Sequence, residues 1–254
     1  MSMRHRHWWA EPLAMHGITP TIQPFDRGSA AEVLVAFLEA FRRDSSARMV
    51  TIPGSALIED EPGLAAAIER ATRLLLDEGR SILLATRPAV AGPGHDWFMP
   101  IERPGEPLPV ALRCVRQPSP AECRELFGSG ALWSSGILIS TPVGMLRLFR
   151  ESQPLLLRSA IAALSGSQEP SPSHLASFLA GLEPAGLDFT AHVLAQRPEL
   201  LRLLTLPHGI VADLSADLAV RSVAAEASAK AHPVRDDELA RRRARTTIRA
   251  PARA

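Results

Sequence analysis

Three serines are the residues of this chain that first suggest nucleophilic chemistry. Ser134 and Ser135 directly follow Trp133, and Ser129 lies between two glycines. A serine nucleophile needs an adjacent base, and the hydrolase elbow G-x-S-x-G follows a strand. The run around Ser129 is G-S-G without a strand leading into it, and no histidine lies near Ser134. The sequence therefore disfavours a serine hydrolase, and Trp133 is expected in the core or in a pocket wall.

Three histidines near the start, His5, His7 and His16, are candidates for a metal site. Zinc sites combine histidine with cysteine or carboxylate ligands at fixed spacings, and no such cluster accompanies these residues. Cys114 and Cys123 are the two cysteines, too few for a disulfide scaffold or a cysteine zinc site. We interpret the histidines as surface or helix-packing residues and the cysteines as buried thiols in a reducing cytosol.

Phosphate binding would need a glycine-rich loop whose backbone amides face the anion. The nearest candidate is the run Ala-Gly-Pro-Gly at 91–94. Its proline lacks the N–H group that a phosphate would require, so we interpret the run as a turn.

The composition is that of a globular protein of 254 residues, 46% hydrophobic and 22% charged. A net charge of +1 creates no global field typical of nucleic-acid or membrane binders. Tyrosine is absent, which disfavours a stacking platform for single-stranded nucleic acid. No stretch approaches the roughly 20 apolar residues of a membrane helix, and the basic start lacks the apolar segment of a secretory signal. We expect a cytoplasmic protein that binds neither membrane nor nucleic acid.

The elements that must position any site alternate between strands and helices. Apolar residues recur on one helical face from Val33 to Phe41, in a segment that Ser29 can cap. Strands are predicted over 48–52 and 81–85, and a second amphipathic helix starts near Pro62. With a short extended piece at 21–23, this β-α-β-α-β succession predicts an α/β fold, with a mostly parallel sheet covered by helices on both faces.

The same alternation continues to about residue 220. Further strands are predicted over 97–101, 110–115, 136–140, 201–206 and 210–214, and helices over 120–127, 142–150, 155–164, 173–182 and 188–196. After Ser222 the composition shifts to alanine, arginine and aspartate, with a basic cluster at 241–245. We expect one domain over 1–221 and a basic, disordered tail over 222–254, with an anion contact as the alternative for the tail.

Seven short segments of the chain match motifs of one enzyme family, in order. They are R-H-W-W at 6–9, Q-P and R-G-S-A at 23–30, a strand ending at Pro53, W-x-x-P at 97–100, L-W-S-S-G at 132–136, L-D-F at 187–189 and D-L-S at 213–215. Through them the chain resembles the mannose-1-phosphate guanylyltransferases, which are sugar-1-phosphate nucleotidyltransferases. A single match is weak, but seven in order are hard to obtain by chance.

The resemblance implies a Rossmann-like nucleotidyltransferase domain and a reaction. A sugar-1-phosphate oxygen attacks the α-phosphate of GTP, pyrophosphate leaves and Mg²⁺ assists. By position it implies that Trp97, Trp133, Ser134 and Asp188 bind the substrate, a nucleotide or nucleotide sugar, and that Asp213 binds the metal. Asp188 also precedes a predicted helix, so it suits an N-cap.

Several positions depart from the family pattern where catalysis depends on them. The family's P-x-D-H reads P-G-S-A here, so Ser55 stands at a metal-binding aspartate. The Y-G of Y-G-W-I reads His95-Asp96, and V-E-K-P reads V-R-Q-P, with Arg116 and Gln117 in its centre. The family's glycine-rich loop would lie upstream of Met1. We therefore expect the first β-loop-α unit to be missing and the exposed N-terminal side to offer a surface for homo- or hetero-oligomers.

These departures predict a mannose-1-phosphate guanylyltransferase-like pseudoenzyme that binds a nucleotide sugar weakly or not at all. One alternative is an active guanylyltransferase whose start lies upstream or whose loop comes from a partner. The other is a non-catalytic regulatory or structural partner of a complete paralogue.

Overall fold

A computed structural model gives the fold and describes residues 6–15, 25–75, 79–164, 178–182, 186–207 and 209–213. The predicted tail at 222–254 and the first half of the predicted helix over 173–182 lie outside these residues. Within them, no helix combines the length and the apolar character needed to cross a bilayer.

Six α-helices and eight strands form the described part of the chain. The helices are α1 (Arg6–Met15), α2 (Ser29–Arg43), α3 (Glu61–Leu74), α4 (Pro120–Gly128), α5 (Pro142–Ser152) and α6 (Pro154–Leu164). The strands are β1 (Met49–Thr51), β2 (Ala56–Ile58), β3 (Ser81–Thr86), β4 (Trp97–Ile101), β5 (Val110–Val115), β6 (Leu132–Ser140), β7 (Leu201–Leu206) and β8 (Val211–Asp213). A π-helical turn, Thr190–Leu194, and a 3-10 turn, Pro198–Leu200, precede β7.

Local sequence sets the starts of three helices. The side chains of Asp60, Ser119 and Thr141 each accept a hydrogen bond from the backbone N–H three residues later, at the starts of α3, α4 and α5. Each of these helices has a proline in its first turn, where the missing N–H would have no helical partner. Glu122 completes a capping box with Ser119. These signals explain why the predicted helix starts agree with the structure.

The main sheet is mixed. Its order is β1-β6-β3-β7-β5-β4, and β4 also pairs with β6, so that β6, β3, β7, β5 and β4 form a closed ring. The pairing of β3 with β7 is parallel, and the other five pairings between described strands of this sheet are antiparallel. The α/β class is confirmed, but the prediction of a mostly parallel sheet is wrong.

The reason lies in which strands become neighbours. β1, α3 and β3 form the kind of strand-helix-strand unit whose strands run parallel. However, β6 lies between β1 and β3 and is antiparallel to both, through the pairings Val50 to Ile139 and Ile82 to Ile139. Sequence alternation gives the direction of β1 relative to β3 but cannot show that a later strand separates them.

Apolar layers cover both faces of the sheet. In β3, Leu83 and Ala85 pack in a core with α2, α5 and α6, whereas Ile82 and Leu84 pack in a second core with α3. A strand buried on both faces has a continuous apolar run rather than an alternating one, which is what this segment shows. The predicted covering of the sheet by helices on both faces is thus observed.

A buried arginine in β7 is paired with a carboxylate. Arg202 is 5% exposed, and its Nε and Nη2 donate to Oε2 and Oε1 of Glu106 at 3.0 and 2.5 Å. Arg80 donates to Glu106 Oε1 at 2.6 Å. The hydrogen bond from Arg202, followed by that from Arg80, holds the pKa of Glu106 below its usual value, although desolvation opposes this effect. Such pairing makes a buried guanidinium tolerable.

Candidate functional site

A cleft of about 580 Å³ opens beside β6. The first turn of α2, the loop after β1, the segments that flank β4 and β5, and the turn at 188–190 form its walls. This volume lies in the range of small-molecule sites. The cleft is therefore large enough for a small-molecule ligand.

The loop after β1 packs closely on β6 and places Ser55 in the cleft. At Gly136 φ is 72°, and a Cβ there would lie 2.8 Å from Cγ of Pro53. Ser55 lines the cleft just before β2, whose residue Ala56 pairs with Asp213 in β8. The backbone of Asp213 thus lies next to this wall, but its side chain is outside the described structure, so its role as metal ligand remains a prediction.

Two serines of β6 stabilise an irregularity in the strand where it lines the cleft. The register between β3 and β6 shifts between Leu83 and Ala85. Ser134 Oγ accepts the backbone N–H of Gly136 at 3.0 Å. Ser135 Oγ accepts that of Ile137 at 3.2 Å and donates to the Leu84 carbonyl at 2.7 Å. Ser135 is thus committed to the fold.

Asp188 lines the cleft and also caps the π-helical turn. Its Oδ1 accepts the backbone N–H of Ala191 at 2.7 Å, and its own N–H donates to Nδ1 of His192 at 3.0 Å. The N-cap interpretation of Asp188 is therefore correct. It does not exclude a ligand contact, because the residue faces the cleft as well.

The R-G-S-A segment holds this turn against the start of α2. Ala30 N–H donates to the Leu187 carbonyl at 2.8 Å, and Leu187 N–H donates to the Arg27 carbonyl at 3.2 Å. Ser29 Oγ accepts the N–H of Phe189 at 2.8 Å. Two motifs that are about 160 residues apart along the chain thus form one wall of the cleft.

A charged cluster spans the cleft. Trp97 pairs with Val115 across β4 and β5, so the next residues outward, Asp96 and Arg116, face each other. Arg116 Nε donates to Asp96 Oδ1 at 2.9 Å, and Arg116 Nη2 lies 3.7 Å from Oδ1 of Asp188. Burial raises the pKa of Asp96, and neighbouring Arg116 opposes that rise only in part.

Backbone strain occurs beside this cluster. Gln117, which lines the cleft, has φ 47° and is the one non-glycine residue with positive φ among those described. A side chain in this region costs on the order of 1–3 kcal/mol, and such strain concentrates at functional sites.

The two predicted tryptophans lie behind a histidine. His95 lines the cleft and stacks on Trp133, with ring centroids 4.0 Å apart and an interplanar angle of 17°. Trp97 meets Trp133 edge-on at 5.6 Å and is fully buried. Neither indole N–H has a hydrogen-bond partner. The structure therefore brings Ser55, Ser134 and Asp188 into the cleft. Trp97 is buried behind the wall of the cleft, and Trp133, which is half-buried, packs under His95.

The described residues do not fit the Mg²⁺ site that the resemblance implies. Ser55 offers a neutral hydroxyl where the family has an aspartate, and Asp96 and Asp188 both contact Arg116. Within the described ranges, no group of three histidine, cysteine, aspartate or glutamate side chains could hold a metal ion.

Burial also raises the pKa of Cys114 to about 12, so this thiol stays protonated at neutral pH.

Sequence reasoning missed the pairing of Asp96 with Arg116. Each was interpreted separately, as a departure from a motif. The signal was present, because opposite charges one residue beyond paired strand ends often meet across a sheet. Using it required the register of β4 and β5, which the sequence does not specify.

Comparison with known proteins places the fold and this cleft in context. No family model matches the chain. The chain is 25% identical over 168 residues to the xanthan biosynthesis protein XanB of Xanthomonas campestris pv. campestris, covering 65% of this chain and 35% of XanB. It thus spans about a third of the length of the curated relatives it matches.

Two solved structures have a similar fold. A mannose-1-phosphate geranyltransferase from Thermus thermophilus aligns with a TM-score of 0.71 and 23% identity, over 84% of this chain and 60% of that one. A mannose-6-phosphate isomerase from Helicobacter pylori aligns with a TM-score of 0.65 and 15% identity, over 84% of this chain and 82% of that one. The chain therefore has the α/β fold of these two proteins, and its similarity to a mannose-1-phosphate enzyme and to XanB agrees with the resemblance that its motifs predict.

Proposed function

We propose that this chain is a mannose-1-phosphate guanylyltransferase-like protein that binds a nucleotide sugar in the cleft and does not catalyse its synthesis. The observation that supports binding is that Ser55, Ser134 and Asp188 line the same cleft. Their assignment came from motifs alone, and these motifs lie far apart in sequence. Guanine and mannose as the ligand's base and sugar follow from the resemblance.

The loss of catalysis is inferred from the charges of the cleft. Nucleotidyl transfer needs a metal or fixed cations to neutralise charge at the transferred phosphorus. The described lining contains the carboxylates of Glu32, Asp96 and Asp188 and the guanidinium of Arg116. A nucleoside triphosphate would therefore meet a mostly acidic surface. We expect GDP-mannose, which carries fewer charges, to bind more tightly than GTP.

The first prediction concerns occupancy of the cleft. Isothermal titration calorimetry of the purified chain should give a dissociation constant for GDP-mannose between about 1 μM and 1 mM. Ser55→Trp places an indole in the cleft and should weaken binding by about tenfold or more, since filling a site removes the volume the ligand needs. Ser129→Trp, at the exposed end of α4 and outside the cleft, is the matched control and should bind as the wild type does. Equal affinities for both variants would place the ligand elsewhere.

The second prediction concerns turnover. With GTP, mannose 1-phosphate and Mg²⁺, release of pyrophosphate by the chain should equal the rate of a protein-free control. Turnover above that rate would contradict catalytic impairment and support the active-guanylyltransferase alternative. Folded protein that binds neither GDP-mannose nor GTP would contradict the binding proposal itself.

A further inference from the structure

The guanidinium of Arg116 contacts two of the carboxylates that line the cleft. Arg116 Nε donates to Asp96 at 2.9 Å, and its Nη2 lies 3.7 Å from Asp188. The side chain of Arg116 is 37% exposed, and those of Asp96 and Asp188 are 20% and 51% exposed. The guanidinium thus extends from the sheet side of the cleft to the turn that continues into the π-helix.

The segments that carry both carboxylates have contacts other than that arginine. Asp96 directly precedes Trp97 in β4, and its carbonyl accepts the N–H of Ser134 at 2.9 Å. Asp188 is fixed by capping the π-helical turn through Ala191. The segments that carry the two carboxylates are thus anchored separately, which leaves a gap between the two side chains. Arg116 fills that gap and is not simply a flexible surface arginine.

Without a cation in the gap, these two carboxylates would face each other with like charges. Burial raises the pKa of Asp96, Arg116 lowers it, and the charge of Asp188 raises it. Two converging carboxylates are the usual start of a Mg²⁺ or Ca²⁺ site, in which oxygen ligands lie about 2.1 or 2.3–2.6 Å from the ion. A guanidinium is larger, permanently charged and weakly hydrated, so it can join two carboxylates that lie farther apart.

We propose that the Arg116 guanidinium takes the place of a divalent cation in this cleft, joining Asp96 to Asp188 so that the cleft keeps its shape and binds its ligand without Mg²⁺. Gln117, which directly follows Arg116 and lines the cleft, has strained backbone with φ 47°, and such strain persists where the surrounding structure holds a segment in place. The claim that the ligand binds without Mg²⁺ rests on the proposed function. The claim that Arg116 joins the two carboxylates in place of a divalent cation does not.

The test is a thermal melt of the purified chain with 0–10 mM MgCl₂ or CaCl₂ at constant ionic strength. The wild type should change by less than about 1 °C. Arg116→Gln, which keeps length but removes charge, should melt lower without metal. It should rise by about 3 °C or more at 10 mM, for a site with a dissociation constant on the order of 1 mM. Arg116→Lys retains a cation and should not respond.

Two controls assign the effect to this gap. Arg116→Gln combined with Asp188→Asn should lose the metal response, because one of the two carboxylates is gone. Arg73→Gln removes an exposed arginine from its pair with Glu69 and should show no response, since it leaves a single solvated carboxylate. If Arg116→Gln does not melt cooperatively, Arg116→Met is the second neutral variant.

The outcomes separate this inference from the proposed function. A wild type that Mg²⁺ stabilises, or neutral variants that respond no more than Arg73→Gln, would overturn the role of Arg116. Calorimetry should give the same affinity for GDP-mannose, within about twofold, in EDTA and in Mg²⁺, and a larger dependence on Mg²⁺ would also overturn it. Absence of GDP-mannose binding would contradict the proposed function, and the melting experiment would still decide the role of Arg116.

Discussion

Replacing Gly28 by alanine is expected to destabilise the chain by about 3 kcal/mol or more and to abolish ligand binding. Gly28 has φ 85° and ψ 160°, a region that residues with a side chain rarely adopt. A Cβ at this position would lie 2.5 Å from the backbone nitrogen and oxygen of Leu187. Backbone atoms cannot move aside as the end of a flexible side chain can. The two segments must therefore separate, and Ser29 and Asp188 separate with them.

Urea unfolding gives the loss of stability, and calorimetry with GDP-mannose gives the loss of binding. Gly105→Ala is the matched control, because Gly105 has a similar φ of 80° but nothing within 4 Å of the added Cβ. We expect it to cost about 1 kcal/mol, the conformational part alone, and to leave binding unchanged. If the two variants lost the same stability, close packing of Gly28 on Leu187 would not be what requires glycine.

Glu106→Gln is expected to destabilise the chain by about 3 kcal/mol, because it leaves a buried guanidinium without its counter-charge. Arg202 is 5% exposed and donates two hydrogen bonds to Glu106, and Arg80 donates a third. Glu69→Gln is the control, since Glu69 and Arg73 form an ion pair with side chains 72% and 70% exposed. Removing that pair should change the free energy of unfolding by less than about 0.5 kcal/mol. Similar losses in both variants would show that the ion pairs of Glu106 contribute no more than a surface pair.

The same carboxylate should make stability depend on pH. Because the pKa of Glu106 is lowered in the folded state, its ionised form stabilises the fold fully above the unfolded pKa of about 4.3. That contribution is lost as the pH falls through the lower, folded pKa. Urea unfolding between pH 7 and 3 should therefore show the wild type and Glu106→Gln converging in acid. A difference that stays constant down to pH 3 would contradict this role of the Glu106 charge.

The sequence predicted those parts of the fold that depend on local signals. The apolar run of β3 and the cap and proline that start α5 each contain the information for their own element. Sheet order depends instead on pairings between distant segments. The position of β6 between β1 and β3 follows from how their apolar faces pack, and no local pattern contains it.

The same distinction applies to the site. Ser55, Ser134 and Asp188 could be placed in one cleft because a family resemblance carries spatial information that composition lacks. Trp97 shows the limit of that approach, because a motif gives a position but not the face on which its side chain packs. The pairing of Asp96 with Arg116 required the strand register. Such pairs become predictable once neighbouring strands are known.

The parallel pairing of β3 with β7 also has a consequence for folding kinetics. Ser81 lies opposite Leu201, which is 120 residues later in the chain, and this pairing of β3 with β7 is one of those that close the ring of five strands. Loop-closure entropy must be overcome before contacts so distant in sequence can form, and folding rates fall as contacts become less local. The hairpin of β4 and β5 can form early, whereas the ring can close only after β7 has been synthesised. One wall of the cleft also depends on a contact between distant segments, from Phe189 to Ser29, so the cleft should likewise be among the last parts of the chain to take shape.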